Sequence, residues 1–229
     1  MHNIVTRFQG VFGFFTTVLF TVAALVAISD IFAVRAPSAS IVPKQTNVIR
    51  GRAHYHSTKK TDLASIRFTL DADLSSLFTW NTKQVFVYVT AEWDAPATKN
   101  TPAGHNTAVI WDQIITAPSS DFLSNFGPAT MKKLKRSAAG KTIDPSRGKF
   151  RLDNQRPKYQ ITHPSGSLAE IPNLRLKVHY NVQPWVGFLT WDMSESLLNW
   201  KKMNKGVSKS FDLPAIKAKT PPAGSSSKP

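Results

Sequence analysis

Hydrophobic and polar residues divide the chain into an apolar segment near its start and a longer region in which the two kinds of residue alternate. No charged residue occurs between Arg7 and Asp30, so Phe8 to Ser29 form an uncharged run of 22 residues. A helix of that length extends about 33 Å, roughly the thickness of the hydrocarbon core of a bilayer. The segment 8–29 is therefore predicted to be one transmembrane helix in contact with membrane lipid.

Two interpretations of this segment remain open on its residues alone. An uncleaved signal anchor is favoured, because the apolar core is longer than the roughly 7–15 residues of a cleaved signal peptide and apolar residues continue to Val34. The alternative is cleavage near Ser29, where small residues have the spacing of a cleavage site, to release a secreted protein. One basic residue precedes the span and four follow it closely. This difference is weak evidence and leaves the orientation of the span open.

Residues 30–62 are mixed in polarity and are interpreted as a stalk, within which a short strand is allowed. From Leu63 onward apolar residues recur at alternate positions, which is typical of strands with one buried and one wet face. Alternation is clearest in segments 66–74 and 174–182. Segments 85–93 and 108–115 are rich in β-branched and aromatic residues, which also favour strands. The region 63–214 is therefore predicted to be mainly β.

Three further segments do not fit the strand pattern. Residues 125–166 contain the run KKLKR at 132–136 and are predicted to form a basic loop. Residues 193–203 have helical spacing, and residues 215–229 have the composition of a disordered tail.

The composition excludes several classes of site. The chain has no cysteine, which rules out disulfides, thiolate metal sites and a cysteine nucleophile. Its formal net charge of +15 would suit nucleic acid, anionic lipid or acidic proteins. The basic run lacks interleaved aromatic residues that could stack on bases, so no nucleic-acid partner is predicted.

Motifs for catalysis are also missing from the sequence. The tripeptide Gly140-Lys141-Thr142 ends like a phosphate-binding loop, but Lys135 occupies the position of the required first glycine. His54 and His56 would share one face of an extended segment, yet no third metal ligand lies near them in the sequence. We therefore predict no catalytic residue, no cofactor and no metal, and we disfavour a hydrolase.

Three sequence segments resemble one known family. They are DLSSLFTWNTKQVFVYV at 73–89, AVIWDQII at 108–115 and YNVQPWVGFL at 180–189. In order and spacing they are similar to subunit 3 of the eukaryotic signal peptidase complex, its 22/23 kDa subunit. The resemblance covers nearly the whole chain, although residues 125–166 and 193–205 look like insertions and no N-glycosylation sequon is present.

The resemblance implies a topology and a role. Residues 1–7 would be cytosolic, 8–29 a signal anchor, and the rest a lumenal part with an antiparallel β-sandwich at 63–214, in a single-pass type II protein of the endoplasmic reticulum membrane. Such a subunit is non-catalytic: it binds and stabilises the serine peptidase subunit that removes signal peptides, and it meets nascent secretory proteins only indirectly. The competing hypothesis is a secreted basic β-sandwich that binds polyanions after cleavage near Ser29.

The sequence also suggests where the core and the partner surfaces lie. The residues predicted to form the sandwich core are Phe68, Leu70, Phe86, Tyr88, Ile110, Leu176, Val178 and Tyr180. The residues predicted to contact other subunits are Thr16, Thr17 and Thr21 in the helix and Phe78, Trp80, Asn81, Lys83 and Asp112 in the β region. An alternative reading, equally open, is that Phe78 and Trp80 only close the core.

Overall fold

The computed structural model describes residues 3–52, 56–95, 104–117, 148–163, 166–192 and 203–216. These residues form helix α1 (Ile4–Ile31) and the strands β1 (Ser38–Arg52), β2 (Lys60–Asp73), β3 (Thr82–Ala95), β4 (Gly104–Thr116), β5 (Lys149–Gln155), β6 (Arg175–Pro184) and β7 (Thr190–Trp191). A short 3₁₀ turn, Ser75–Leu77, separates β2 from β3. The predicted fold class, one apolar helix followed by an antiparallel β-sandwich, is confirmed.

Helix α1 includes the predicted segment 8–29 and is longer at both ends. Its 28 residues are long and apolar enough to cross a membrane, and they extend about 42 Å. The threonine hydroxyls inside it are satisfied locally: Thr16 and Thr17 donate to the carbonyl of Gly13 at 2.8 and 2.9 Å. Because these polar groups bond within the helix, they add no unpaired donor to its apolar surface.

Two antiparallel sheets form the β region. One has the strand order β1-β2-β5 and the other β4-β3-β6-β7. The apolar faces of both sheets enclose one core, in which Phe68 packs edge-on against Trp111 with ring centroids 6.1 Å apart. Six of the eight predicted core residues are fully buried: Phe68, Leu70, Ile110, Leu176, Val178 and Tyr180.

The other two core predictions, Phe86 and Tyr88, are wrong. Strand β3 directs Val85, Val87 and Val89 into the core, which leaves both aromatic rings half-buried on the outer face of the sheet. A strand with apolar residues at consecutive positions has two possible inward faces, and register decides between them. The outward rings stack on each other, with centroids 5.5 Å apart.

The structure also differs from the predicted stalk. Strand β1 lies within 30–62 and pairs with β2 along its length, from Ser38 opposite Asp73 to Arg52 opposite Lys60. Pro43 lies at a register shift in this ladder, where the missing N–H of proline is tolerated. The proline and the polar residues around it obscured the strand in the sequence.

The predicted basic loop 125–166 is only partly a loop, because it contains β5. The remaining calls on irregular segments concern mostly residues outside the described ranges. These are the run 132–136, the predicted helix at 193–203 apart from Met203, and the tail from residue 217.

Candidate functional site

A buried ion pair joins the end of helix α1 to the β-sandwich. Arg35 donates a hydrogen bond of 2.7 Å from Nη2 to Asp30 Oδ1, and its side chain is 0% exposed. Its Nη1 donates to Thr190 Oγ1 at 3.0 Å, and the hydroxyl of Thr79 lies 3.5 Å from Asp30 Oδ1. The last turn of the helix is therefore bonded both to the β2–β3 connection and to β7, a group we call the junction.

The connection between β2 and β3 is shaped by its own side chains. Asp73 accepts hydrogen bonds from the Ser75 hydroxyl at 2.6 Å and from the Ser75 amide at 3.1 Å. The Ser75 hydroxyl, with further help from the nearby Lys149, lowers the pKa of Asp73 below its ordinary value, although partial burial opposes the shift. Thr82 donates to the Leu77 carbonyl at 2.8 Å. These bonds fix the turn that carries Phe78 to Asn81.

Asn81 attaches the β6–β7 loop to this turn. Its side chain is buried, donates to the Val186 carbonyl at 2.7 Å and accepts from the Val186 amide at 3.2 Å. The Trp185 amide donates to the Asn81 carbonyl at 2.8 Å. The loop is thus held in one position by three hydrogen bonds to a single residue.

Exposed apolar side chains cluster where this loop meets the turn. We call the set the apolar patch, and it consists of Trp80, Trp185, Val186, Phe188 and Leu189. Lys83 places its ammonium group 5.3 Å from the centre of the Trp185 ring. At the middle of the loop Gly187 has a φ of +126°, and a Cβ added there would meet Ala27 of helix α1 at 3.4 Å. The patch therefore lies directly beside the helix.

A second candidate surface is the outer face of the four-stranded sheet, which we call the outer sheet face. His179 stacks on Tyr88 with ring centroids 4.9 Å apart, and its Nδ1 lies 3.5 Å from Asp192 Oδ2. Burial, followed by the negative charges of Asp192 and Glu92, raises the pKa of the Tyr88 hydroxyl. Asp112 lies opposite Tyr88 in the ladder and pairs with Lys158 at 3.3 Å.

Behind this face, Tyr180 points into the core. Burial and, to a smaller extent, Asp192 raise the pKa of Tyr180 to about 12, while Arg35 acts in the opposite direction. The phenol therefore remains protonated at neutral pH. In the described part of the chain no group of three or more His, Asp or Glu residues could hold a metal ion.

The predicted partner residues fall into separate places. Phe78 and Asn81 point inward, whereas Trp80 is 68% exposed and Lys83 is exposed beside it, so the core-closing interpretation holds for Phe78 and not for Trp80. Asp112 lies opposite Tyr88 in the β3–β4 ladder. Tyr88 is six residues along β3 from Thr82, so Asp112 is about 20 Å from the turn. Thr16, Thr17 and Thr21 lie within α1, away from both surfaces.

Sequence reasoning missed the junction. Asp30 is the first charged residue after the uncharged run, and Arg35 follows five residues later. This pair of opposite charges at the end of an apolar helix was the available signal. Burial of an arginine cannot be read from such spacing, because most arginines remain exposed.

Comparisons with known proteins find a matching family model and several relatives. A family model described as "Signal peptidase subunit" matches residues 1–130 and 142–202. Signal peptidase complex subunit 3 of Saccharomyces cerevisiae is 34% identical over 133 residues, which are 58% of this chain and 55% of the yeast protein. The subunits 3 of Drosophila melanogaster and Caenorhabditis briggsae are 31% and 26% identical over 189 residues, which are 82% of this chain and 88% and 87% of those proteins. The family match includes α1 and every strand from β1 to β7.

Proposed function

The chain belongs to the signal peptidase subunit family, and on that premise we propose that it is a non-catalytic subunit of the signal peptidase complex in the endoplasmic reticulum membrane. Its relatives are named as subunits of that complex. In this proposal the serine peptidase subunit removes signal peptides from nascent secretory proteins. The present chain binds that subunit and stabilises it.

In this proposal helix α1 remains attached as a membrane anchor, with the residues before it cytosolic and the β-sandwich lumenal. The packing of Gly187 against Ala27 supports retention of the helix. Cleavage near Ser29 would remove Ala27 and leave the middle of the β6–β7 loop without this support. It would also detach the helix from Asp30, the residue through which the junction holds it.

The observation that carries the proposed mechanism is the buried pair of Arg35 and Asp30. A peptidase that cuts close to a membrane needs its active site at a fixed distance from the bilayer. The junction bonds the end of the anchor to two parts of the sandwich, so it holds the domain at one height and angle. A domain held in this way gives a partner on the membrane surface a rigid support.

We assign two surfaces to contacts with the other subunits. The threonine-bearing face of α1 allows another membrane helix to approach closely. On it Thr16 and Thr17 bond to the carbonyl of Gly13, and Thr21 bonds to that of Thr17. The outer sheet face around Asp112 combines half-buried aromatic rings with charged groups, a composition suited to a protein interface. Trp80 belongs instead to the apolar patch, and Lys83 lies beside that patch, over the Trp185 ring.

Glycosylation of one engineered site tests the proposed topology. Gln160→Asn places an asparagine two residues before Thr162, with no proline between or directly after them, and both positions are exposed. Translation into microsomes should give a glycosylated chain, because only the lumenal side carries the glycosylating enzyme. The double variant Gln160→Asn/Thr162→Ala is the matched control and should stay unmodified. A folded, inserted Gln160→Asn chain without glycan would contradict the lumenal placement of the sandwich.

A further inference from the structure

The apolar patch has the exposure and continuity of a binding surface. Phe188 is 75% exposed, Trp80 68% and Leu189 54%, and the residues 185–189 are contiguous in the chain. Exposed apolar surface on a soluble face usually occurs as scattered single residues, whereas a contiguous aromatic cluster marks a binding surface.

The position of the patch relative to helix α1 identifies that occupant. Gly187 contacts the helix at Ala27, four residues before its end at Ile31. Four residues correspond to about 6 Å of rise, so the loop extends back alongside the last turn of the helix. The whole helix is about 42 Å long, close to the full thickness of a bilayer with its headgroups. If Ile31 lies at the outer edge of the headgroups, the middle of the loop lies within the interfacial layer.

The loop is also built to stay in that position. Three hydrogen bonds with Asn81 hold it at the turn, and Gly187 supplies a φ of +126° that residues with a side chain rarely adopt. The apolar side chains are therefore held outward before any contact is made. Binding then costs little conformational entropy.

The chemistry of the patch matches a lipid interface. Tryptophan rings prefer the headgroup level, where one part of the ring meets hydrocarbon and the indole N–H meets polar groups. Lys83 stands beside Trp185 and can extend its ammonium group towards phosphate oxygens. We propose that the apolar patch inserts into the lumenal leaflet beside helix α1, so that the sandwich rests on phospholipid as well as hanging from its anchor. This inference rests on the proposed membrane anchoring of the chain.

Spin labels at single cysteines measure the depth of the patch directly. The natural chain has no cysteine, so each label is unique in the full-length protein. The test sites are Phe188→Cys and, as a second position in the same loop, Leu189→Cys. Thr17→Cys marks the span, and Val109→Cys marks an exposed site about 26 Å along the strands from the turn. The proteins are reconstituted in phosphatidylcholine vesicles, and collision rates with oxygen and with a water-soluble nickel chelate are compared.

The proposal expects labels at 188 and 189 to collide with oxygen several-fold more often than with nickel, as at 17, and the ratio to invert at 109. Nickel accessibility at 188 and 189 equal to that at 109, with 17 in lipid, would overturn the inference and leave the anchor intact. Shielding from both reagents would also overturn it, because the loop would then be covered by protein. A water-exposed label at 17 would instead contradict the proposed anchoring itself.

Discussion

Arg35 reaches back across the end of helix α1 to donate a 2.7 Å hydrogen bond to Asp30, five residues earlier in the chain. Both side chains are buried, and the second nitrogen of the guanidinium group bonds to Thr190 in β7. Two charges withdrawn from water in this way stabilise a structure only while they remain together. The pair therefore couples the position of helix α1 to the integrity of the sandwich.

Replacement of Arg35 should be far more harmful than replacement of a surface arginine. Arg35→Met leaves the Asp30 carboxylate buried without its partner, and we expect a loss of about 3–5 kcal/mol in the free energy of unfolding. Arg151→Met is the matched control. It breaks a pair with Asp153 in which both side chains are about two-thirds exposed, and it should cost less than about 1 kcal/mol.

The measurement is denaturant unfolding of the full-length chain in mild detergent. Asp30→Asn combined with Arg35→Met should cost less than the sum of the single substitutions, because the combination leaves no buried charge unpaired. Equal stability of the Arg35→Met and Arg151→Met proteins would show that the junction does not stabilise the fold.

Asn81 should control the order of the β6–β7 loop. Asn81→Ala removes both side-chain hydrogen bonds to Val186, at a cost of about 1–3 kcal/mol, and frees the amide of Val186 to exchange. Hydrogen exchange followed by mass spectrometry should show faster exchange in a peptide that covers 185–189. Asn204→Ala, at an exposed asparagine, should leave exchange there unchanged. Unaltered exchange in the Asn81→Ala protein would mean that the loop is ordered by other contacts.

Acid should weaken the fold partly through Asp73. Its pKa in the folded protein is lowered from 3.8, so the carboxylate stabilises the native state above that pH. The contribution is lost as the pH falls below about 4 and through the lowered folded pKa, because the unfolded chain takes up the proton first.

Asp73→Asn should therefore reduce the loss of unfolding free energy between neutral pH and about pH 2. Asp71→Asn removes the same charge from an exposed position on the same strand and serves as the control. If Asp73→Asn retains the full acid dependence of the natural protein, the bond with Ser75 does not couple to folding.

Two charge reversals distinguish the proposed protein interface from the proposed lipid-contacting patch. Asp112→Lys, on the outer sheet face, should reduce several-fold the amount of peptidase subunit that copurifies with the chain. Lys83→Glu, beside the apolar patch, should leave that amount unchanged. Asp153→Lys reverses a charge on the other sheet, 66% exposed, and controls for charge alone. Normal copurification of a folded Asp112→Lys protein would exclude this part of the sheet as the interface.

The sequence predicted the parts of the fold that depend on periodicity. The uncharged run gave the helix, and alternation gave β2 and β6, because these patterns follow from helix and strand geometry. The inward face of β3 could not be predicted, since Val85 and Phe86 are both apolar and register makes the choice. Strand β1 could not be predicted because a proline usually argues against a strand. Pro43 is tolerated because it lies at a register shift in the β1–β2 ladder.

The candidate site was predictable only in part. The aromatic residues near Trp80 stood out in the sequence, but their neighbours in the β6–β7 loop come from about 105 positions later in the chain. Proximity of that kind is set by the pairing of β3 with β6, which no local pattern reveals. The pairing of β3 with β4 likewise places Asp112 opposite Tyr88, far from the turn around Trp80.

The most direct test of the central claim is purification of the tagged full-length chain in mild detergent from its own cells, with assay of signal-peptide cleavage by the purified material. We predict that the chain copurifies in a fixed ratio with a serine peptidase subunit, that the complex cleaves a secretory precursor, and that the separated chain does not. Recovery of the chain without a peptidase, under conditions that preserve membrane complexes, would contradict its assignment as a subunit. Cleavage by the separated chain would contradict its non-catalytic role.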